Sequence, residues 1–206
     1  KQIEEGKNFA NKLYNAARFR MMQGEAGTDT APRFTAVHID ILAKLKELHT
    51  NVADAFAKYE FNTYTQALYS FFWNEYCSLF LEAVKNDLRD GADTAVRNAT
   101  LYTIDTVLRH YLALLAPIMP HIAEELWQSL GFATRNGGQP LMLTELPKAD
   151  ALLAGLDDIA IAKARATATA LYESANRARN LKAEYNLATN RKVRFILKPV
   201  APLDTD

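Results

Sequence analysis

Apolar positions recur at helical spacing along most of the chain. The pattern predicts helices over residues 7–22, 62–88, 94–115, 121–130 and 157–185. Another helix, between the first two of these, has apolar positions at alternating steps of four and three, which is typical of one buried face. Those positions are Ile41, Leu45, Leu48, Val52, Ala55 and Tyr59. Glycine, proline and small polar residues predict loops at 24–32 and 131–155. We therefore expect an all-α helical bundle.

The segment 192–197 departs from this periodicity. Its sequence, KVRFIL, alternates polar and apolar residues and predicts a short strand. Because one strand cannot form a sheet, we expect it to begin a further region that the chain contains only in part. The predicted organisation is a helical domain over 1–190 and the start of a truncated C-terminal region over 191–206. Residues 1–6 have neither an initiator methionine nor an apolar signal segment, so we expect a fragment of a longer protein.

Composition is typical of a globular protein, with 49% hydrophobic and 23% charged residues. The single cysteine, Cys77, excludes an internal disulfide and fits a reducing compartment, so we expect a cytoplasmic protein. No apolar run reaches the roughly 18 residues that a membrane span needs, and no membrane partner is expected.

Charge is unevenly distributed although the formal net charge is zero. Residues 1–22 contain five basic and two acidic side chains, and residues 177–198 contain seven basic and one acidic. The residues between them are net acidic. Basic end segments can hold phosphates locally, although solvated helix faces explain the same charges equally well.

Catalytic and metal-binding patterns are missing from the sequence. The four histidines have no zinc-ligand spacing with each other or with Cys77. His121 and Glu125 lie one helical turn apart, but a metal would need further ligands that no neighbouring residue supplies. Cys77 lies in the aromatic third helix and is expected in the core rather than as a nucleophile. Without a glycine-rich phosphate loop or a nucleophile elbow, we expect no catalytic site, metal or cofactor in this chain.

The first helix divides into an apolar face and a polar face. The apolar face contains Phe9, Ala10, Leu13, Ala16, Ala17 and Met21. Two ladders, each spaced i, i+4, i+7 and i+11, form the polar face. The first ladder is Lys7, Asn11, Tyr14 and Arg18, and the second is Asn8, Lys12, Asn15 and Phe19.

Phe19 is unusual because it lies among polar side chains. A following segment could cover its ring, as is common for a single aromatic residue. Alternatively, Phe19 stacks on an unpaired base while Lys12 and Arg18 hold phosphates and the asparagines reach base edges. The absence of any acidic residue from position 6 to position 22 favours the second interpretation.

Four sequence blocks resemble the anticodon-binding domain of valyl-tRNA synthetases, a class I aminoacyl-tRNA synthetase family. Residues 6–19, GKNFANKLYNAARF, are similar to its opening helix. Residues 59–62 and 68–75, with Leu81 and Glu82, are similar to its aromatic third helix. Residues 116–127, APIMPHIAEELW, resemble a block that isoleucyl and leucyl relatives share. Residues 177–186, RARNLKAEYN, resemble the stretch that closes the valyl domain.

The resemblance implies a helical bundle of the class Ia synthetase anticodon-binding type. It implies that Lys12, Arg18 and Phe19 contact the anticodon, with Phe19 as the stacking ring. Asn8 and Asn15 lie in the same ladder and are included as candidates. The weaker candidates are Lys1, Leu81, Arg177 and Arg179.

The parent enzyme implied by the resemblance is an ATP-dependent ligase that joins valine to tRNA(Val), with magnesium accompanying the nucleotide. The two ATP-site motifs of that family are absent from this chain, so the fragment is expected only to bind tRNA and to contact the catalytic and C-terminal regions of its own parent. Two alternatives remain open: the same domain from an isoleucyl or leucyl enzyme, and a helical scaffold for protein interactions.

Overall fold

The computed structural model describes residues 2–187 and 193–196, and its regular elements are helices joined by turns. They are α1 (Gln2–Met21), α2 (Ala36–Ala57), α3 (Phe61–Ser70), a π-helix (Phe71–Phe80), α4 (Leu81–Val84), α5 (Thr94–Leu115), α6 (Pro120–Ser129), α7 (Phe132–Arg135) and α8 (Asp158–Glu184), with short 3₁₀ helices at Lys85–Leu88, Leu141–Leu143 and Ala149–Leu153. Two compact units divide the chain, Lys1–Ala168 and Thr169–Asp206. The predicted all-α class is confirmed for the described residues.

The core of the first unit is organised around α5, which contacts α1, α2, α3 and α6. Apolar side chains recur along this helix at steps of three and four, and those of Leu101, Ile104, Leu108 and Tyr111 are fully buried. Asp93 caps the helix by accepting a hydrogen bond from the Val96 amide at 3.1 Å. The helix therefore has a sequence signal for its start as well as for its buried face.

The buried face of α2 is shorter than predicted. Leu45, Leu48, Val52 and Ala55 are buried, as the spacing predicts, but α2 ends at Ala57. Tyr59 lies in the following turn with φ +59° and is 80% exposed. Its inclusion in the buried face is wrong because the backbone has already left the helix, so the helical period no longer sets its direction.

The predicted helix over 62–88 forms as a continuous helical run over residues 61–88, but its middle third is a π-helix. Wider i→i+5 hydrogen bonding lets the Ser78 hydroxyl donate to the Trp73 carbonyl at 2.7 Å. The rings of Phe72, Tyr76 and Phe80 are fully buried and contact one another in series, with centroids 5.4 Å and 5.9 Å apart. The aromatic row is therefore part of the core.

The C-terminal prediction is corrected by the structure. Residues 193–196 form no strand, and Lys192 and Leu197 lie outside the described residues. A strand needs a neighbouring strand to pair with, and the described part of the chain offers none. The predicted domain boundary at 190/191 also lies outside the described residues, and it stays a prediction.

Candidate nucleic-acid interface

The polar ladder of Asn8, Lys12, Asn15 and Phe19 forms one edge of α1. Asn8 and Asn15 are exposed, whereas Lys12 and Phe19 are half-buried. The opposite side of the helix holds Leu13 and Ala17 in the core with no exposed surface. Since the buried side fixes the rotation of the helix, the ladder necessarily points away from the core.

The second ladder lies beside the first and is fully open to solvent. Lys7, Asn11, Tyr14 and Arg18 are all exposed. Arg18 has no ion-pair partner among the described residues. The two ladders thus provide a continuous polar surface with three cationic side chains and no acidic residue between positions 6 and 22.

Lys12 has a partner that the sequence analysis missed. Its ammonium lies 3.9 Å from the centroid of the Trp73 ring, a cation–π contact. The Trp73 ring stacks on Tyr69 at 5.5 Å with 14° between their planes, and Tyr69 contacts Phe9 at 5.4 Å. Tyr69 and Trp73 are four residues apart in the aromatic third helix, and that spacing was the sequence signal that the two rings lie on one face. The contact holds the Lys12 charge at the edge of the polar surface.

Phe19 is neither a core residue nor a freely exposed ring. It is half-buried and contacts no other aromatic ring among the described residues. Its carbonyl accepts a hydrogen bond from the Gln23 side chain at 3.1 Å, which continues α1 into the following turn. Phe19 is therefore partly covered and partly open to solvent.

Arg20, the next residue, is buried although it lies in a basic segment. Only 7% of it is exposed, and its guanidinium donates to both carboxylate oxygens of Asp105 at 2.7 Å and 2.9 Å. It also donates to the Gly24 carbonyl at 2.9 Å. Met21, assigned to the apolar face by periodicity, is 39% exposed. That assignment is wrong because α1 ends at this residue and Arg20 takes the inward position.

The weaker candidates are scattered. Lys1 lies outside the described residues. Leu81 is 7% exposed, so it offers little surface to a ligand. Arg177 and Arg179 are exposed on α8 in the second unit, where Arg179 donates to Asn176 at 3.1 Å.

Cys77 and the metal-ligating side chains were the candidates for catalytic or metal chemistry. Burial raises the pKa of the Cys77 thiol to about 12, so the thiol is protonated at neutral pH and is a poor nucleophile. No cluster of three or more metal-ligating side chains occurs in the described part of the chain. Within the same residues, no helix is both long enough and apolar enough to cross a membrane.

Comparison with known proteins identifies similar domains. Residues 39–197 match a family model described as the anticodon-binding domain of tRNA ligase. The valine–tRNA ligase of Laribacter hongkongensis is 36% identical over 211 residues, covering 99% of this chain and 22% of the relative. The Mycolicibacterium paratuberculosis enzyme is 30% identical, with 99% and 22% covered, and that of Pseudothermotoga lettingae is 32% identical, with 93% and 21% covered.

The chain spans about a fifth of the length of the curated relatives it matches. The family model begins at residue 39, after α1, whereas the alignments that cover 99% of the chain include α1. The similarity of the polar ladders to these ligases therefore comes from the whole-chain relatives.

Proposed function

We propose, from the premise that this chain belongs to the family of anticodon-binding domains of tRNA ligases, that it binds the anticodon region of tRNA(Val) through the polar ladders of α1. The observation that carries the proposal is the exposed, acid-free surface on which Lys12, Arg18 and Phe19 lie within two helical turns. Guanidinium and ammonium groups bind backbone phosphates, and an accessible aromatic ring stacks on an unpaired base.

Each ladder residue has a separate role in this proposal. Arg18 is exposed and free to reach a phosphate, while the Trp73 contact keeps Lys12 close to the surface. Phe19 supplies the stacking ring, and the exposed amides of Asn8 and Asn15 reach base edges, which carry donor and acceptor groups.

The reaction that joins valine to tRNA is carried out by the rest of the parent protein. By similarity to the valine–tRNA ligases, the parent is an ATP- and magnesium-dependent enzyme of the cytoplasm that joins valine to its tRNA. This domain supplies tRNA affinity, is not itself catalytic, and contacts the catalytic and C-terminal regions of the same chain. The domain covers residues 1–190. Arg177 and Arg179 provide additional phosphate contacts.

The stacking role is tested by Phe19→Ala. We expect the affinity for tRNA(Val) to fall by about 1–3 kcal/mol while the helical circular dichroism is unchanged, because one base loses its stacking partner. The matched control is Phe61→Ala, which removes an exposed ring elsewhere in the first unit and should leave tRNA affinity unchanged. Unfolding of the Phe19→Ala variant with normal residual binding would assign Phe19 to the core instead.

The phosphate role is tested by Lys12→Ala and Arg18→Ala. Each should weaken tRNA binding and reduce the slope of log affinity against log salt by about 0.7 to 0.9, since one fewer counterion is released. Lys46→Ala, an exposed lysine of α2, is the control. A salt-independent affinity that none of these variants changes would favour a protein-interaction scaffold.

A further inference from the structure

A cavity of about 290 Å³ lies in the first unit, where the turn after α1 meets α5 and α7. Its charged lining consists of three arginines and two acids: Arg20, Arg109, Arg135, Glu25 and Asp105. Tyr102 forms part of its wall. The volume is at the lower end of the range for small-ligand pockets, so the cavity accommodates a small polar group.

The buried charge in this cavity is already neutralised. Asp105 accepts two hydrogen bonds from Arg20, and Arg135 pairs with it at 3.2 Å. Two guanidinium groups therefore share one carboxylate. With Arg109 and Glu25 included, the lining has three basic and two acidic side chains, so one positive charge is in excess.

Arg135 is held in a fixed orientation. Its guanidinium donates to the Leu130 carbonyl at 2.7 Å and lies 4.9 Å from the centroid of the Phe132 ring. Its side chain is nevertheless exposed, with N–H groups left over. A guanidinium oriented in advance loses less entropy when it binds an anion.

Arg109 is the second cation and has no ion pair or hydrogen bond among the described residues. It follows Asp105 by one turn of α5 and is exposed at the rim of the cavity. Since no ion pair among the described residues holds its guanidinium, Arg109 is available to a ligand.

Tyr102 adds an aromatic surface beside the two cations. It is 55% exposed, and its ring meets Phe34 edge to face at 5.7 Å, which restrains the ring from the side. Tyr102, Thr106 and Arg109 follow one another at steps of four and three, so they share one face of α5. Cationic groups beside an aromatic ring match a nucleotide, which has a phosphate and a flat base.

We propose that this cavity is a second RNA contact, in which Arg109 and Arg135 bind a backbone phosphate and Tyr102 packs against the attached nucleotide. The inference rests on the proposed tRNA-binding function and extends it beyond the polar ladders of α1. Both places lie in the first unit, and Arg20, on the inward side of α1, lines the cavity.

The test is the affinity of the whole chain for a tRNA(Val) transcript at several salt concentrations. Arg109→Ala should raise Kd by about 10- to 100-fold, as the loss of one charge-assisted hydrogen bond predicts, and reduce the salt slope by about 0.7 to 0.9. Arg109→Lys keeps the positive charge and should retain most of the slope of log affinity against log salt. Arg89→Ala removes an exposed arginine outside the cavity and should change neither quantity. Tyr102→Ala should weaken binding, and Tyr102→Phe should not.

Phe19→Ala, measured in parallel, separates the two proposals. If it weakens binding while Arg109→Ala behaves like Arg89→Ala, the cavity is not an RNA contact and the proposed function stands. If neither variant changes the affinity, or the wild-type chain does not bind the transcript, both proposals fail. Titration with inorganic phosphate alone identifies the source of the anion: saturable binding lost in Arg109→Ala, with unchanged tRNA affinity, would make this a free-phosphate site and overturn the RNA assignment.

Discussion

Phe19 and Arg20 are neighbours in α1, yet each has an environment that its chemistry would not suggest. The aromatic ring is half-buried at the edge of a polar surface, whereas the guanidinium is buried against Asp105. Helical geometry explains both, because consecutive residues point about 100° apart and Arg20 takes the inward position. The cost of burying the charge is offset by the paired geometry with Asp105. Arg20 therefore acts as a structural residue, whereas Phe19 is the neighbour for which we propose an RNA contact.

The Arg20–Asp105 pair is expected to be important for stability. Arg20→Ala should lower the free energy of unfolding by about 3 kcal/mol, because it leaves a largely buried carboxylate with fewer donors. Arg33→Ala is the matched control, since Arg33 and Asp93 form an exposed pair at 2.8 Å whose loss should lower stability much less. Urea unfolding measures both. Equal effects of the two substitutions would contradict a structural role for Arg20.

Two buried histidines predict a dependence of stability on pH. Burial lowers the pKa of His38 to about 4, and burial, with the charges of His49 and Arg109, lowers the pKa of His110 to about 4. The unfolded chain, with histidine pKa values near 6.5, takes up protons first as the pH falls. The free energy of unfolding should therefore decrease between pH 7 and pH 5, by about 2 kcal/mol for each histidine.

Chemical denaturation at a series of pH values checks this dependence. His110→Asn removes one titrating group and should flatten the decrease, whatever its effect on stability at pH 7. His121→Asn, at the start of α6, is the control and should leave the slope unchanged. A stability that is constant from pH 7 to pH 5 would be inconsistent with neutral, buried histidines.

The environment of Lys12 could be predicted only in part from the sequence. Helical spacing placed it correctly in the polar ladder, but the Trp73 contact joins residues that are far apart in the chain. Such contacts depend on how α1 packs against the π-helix, which periodicity within one helix does not encode. For the same reason the Arg20–Asp105 pair was not predicted, because its partners lie 85 positions apart.

The helices differ in how clearly their sequences define them. The bounds of α5 agree with the prediction because Asp93 caps its start and proline follows its end. The π-helix was not predicted, since its i→i+5 bonding has no distinct residue pattern and results from packing of the aromatic row. The strand prediction failed because alternation describes one segment, whereas a strand also needs a partner. A cap and a following proline thus define the ends of α5, whereas local signals do not predict how elements pair.

Charged side chains connect α2 with the π-helix and with the first part of α8. Asp40 is buried on α2 and pairs with Lys44 at 2.8 Å and with Arg165 at 3.7 Å. Lys44 also pairs with Glu75 of the π-helix at 2.8 Å, and Arg165 pairs with Glu47 at 2.5 Å. The carboxylate of Asp40 is thus shared by two cations, Lys44 on α2 itself and Arg165 on α8.

Removing the charge of Asp40 tests this connection. Asp40→Asn should lower the free energy of unfolding by about 2 kcal/mol, because a buried acceptor of two charge-assisted contacts is lost. Glu82→Gln, which affects the exposed pair with Lys85 at 2.5 Å, should cost less than about 1 kcal/mol. Thermal or urea unfolding measures the difference, and a neutral Asp40→Asn substitution would contradict the proposed role of the network.

At the scale of the whole molecule, zero net charge conceals separate basic surfaces. In the first unit, the basic surface consists of the α1 ladders and the arginines around the cavity of Arg109 and Arg135. In the second unit, Arg177 and Arg179 are exposed on α8. Composition alone would have argued against a nucleic acid, whereas the distribution of charge agrees with the family to which the chain belongs.

The affinity of the chain for two transcripts that differ only in the anticodon tests the central claim most directly. The chain should bind tRNA(Val) more tightly than the same transcript with an isoleucine anticodon. Asn15→Ala should reduce that difference, because its amide is proposed to reach a base edge, whereas Phe19→Ala should weaken both complexes alike, because a ring stacks on any base. Equal affinity for the two transcripts in the wild-type chain would contradict anticodon recognition by α1.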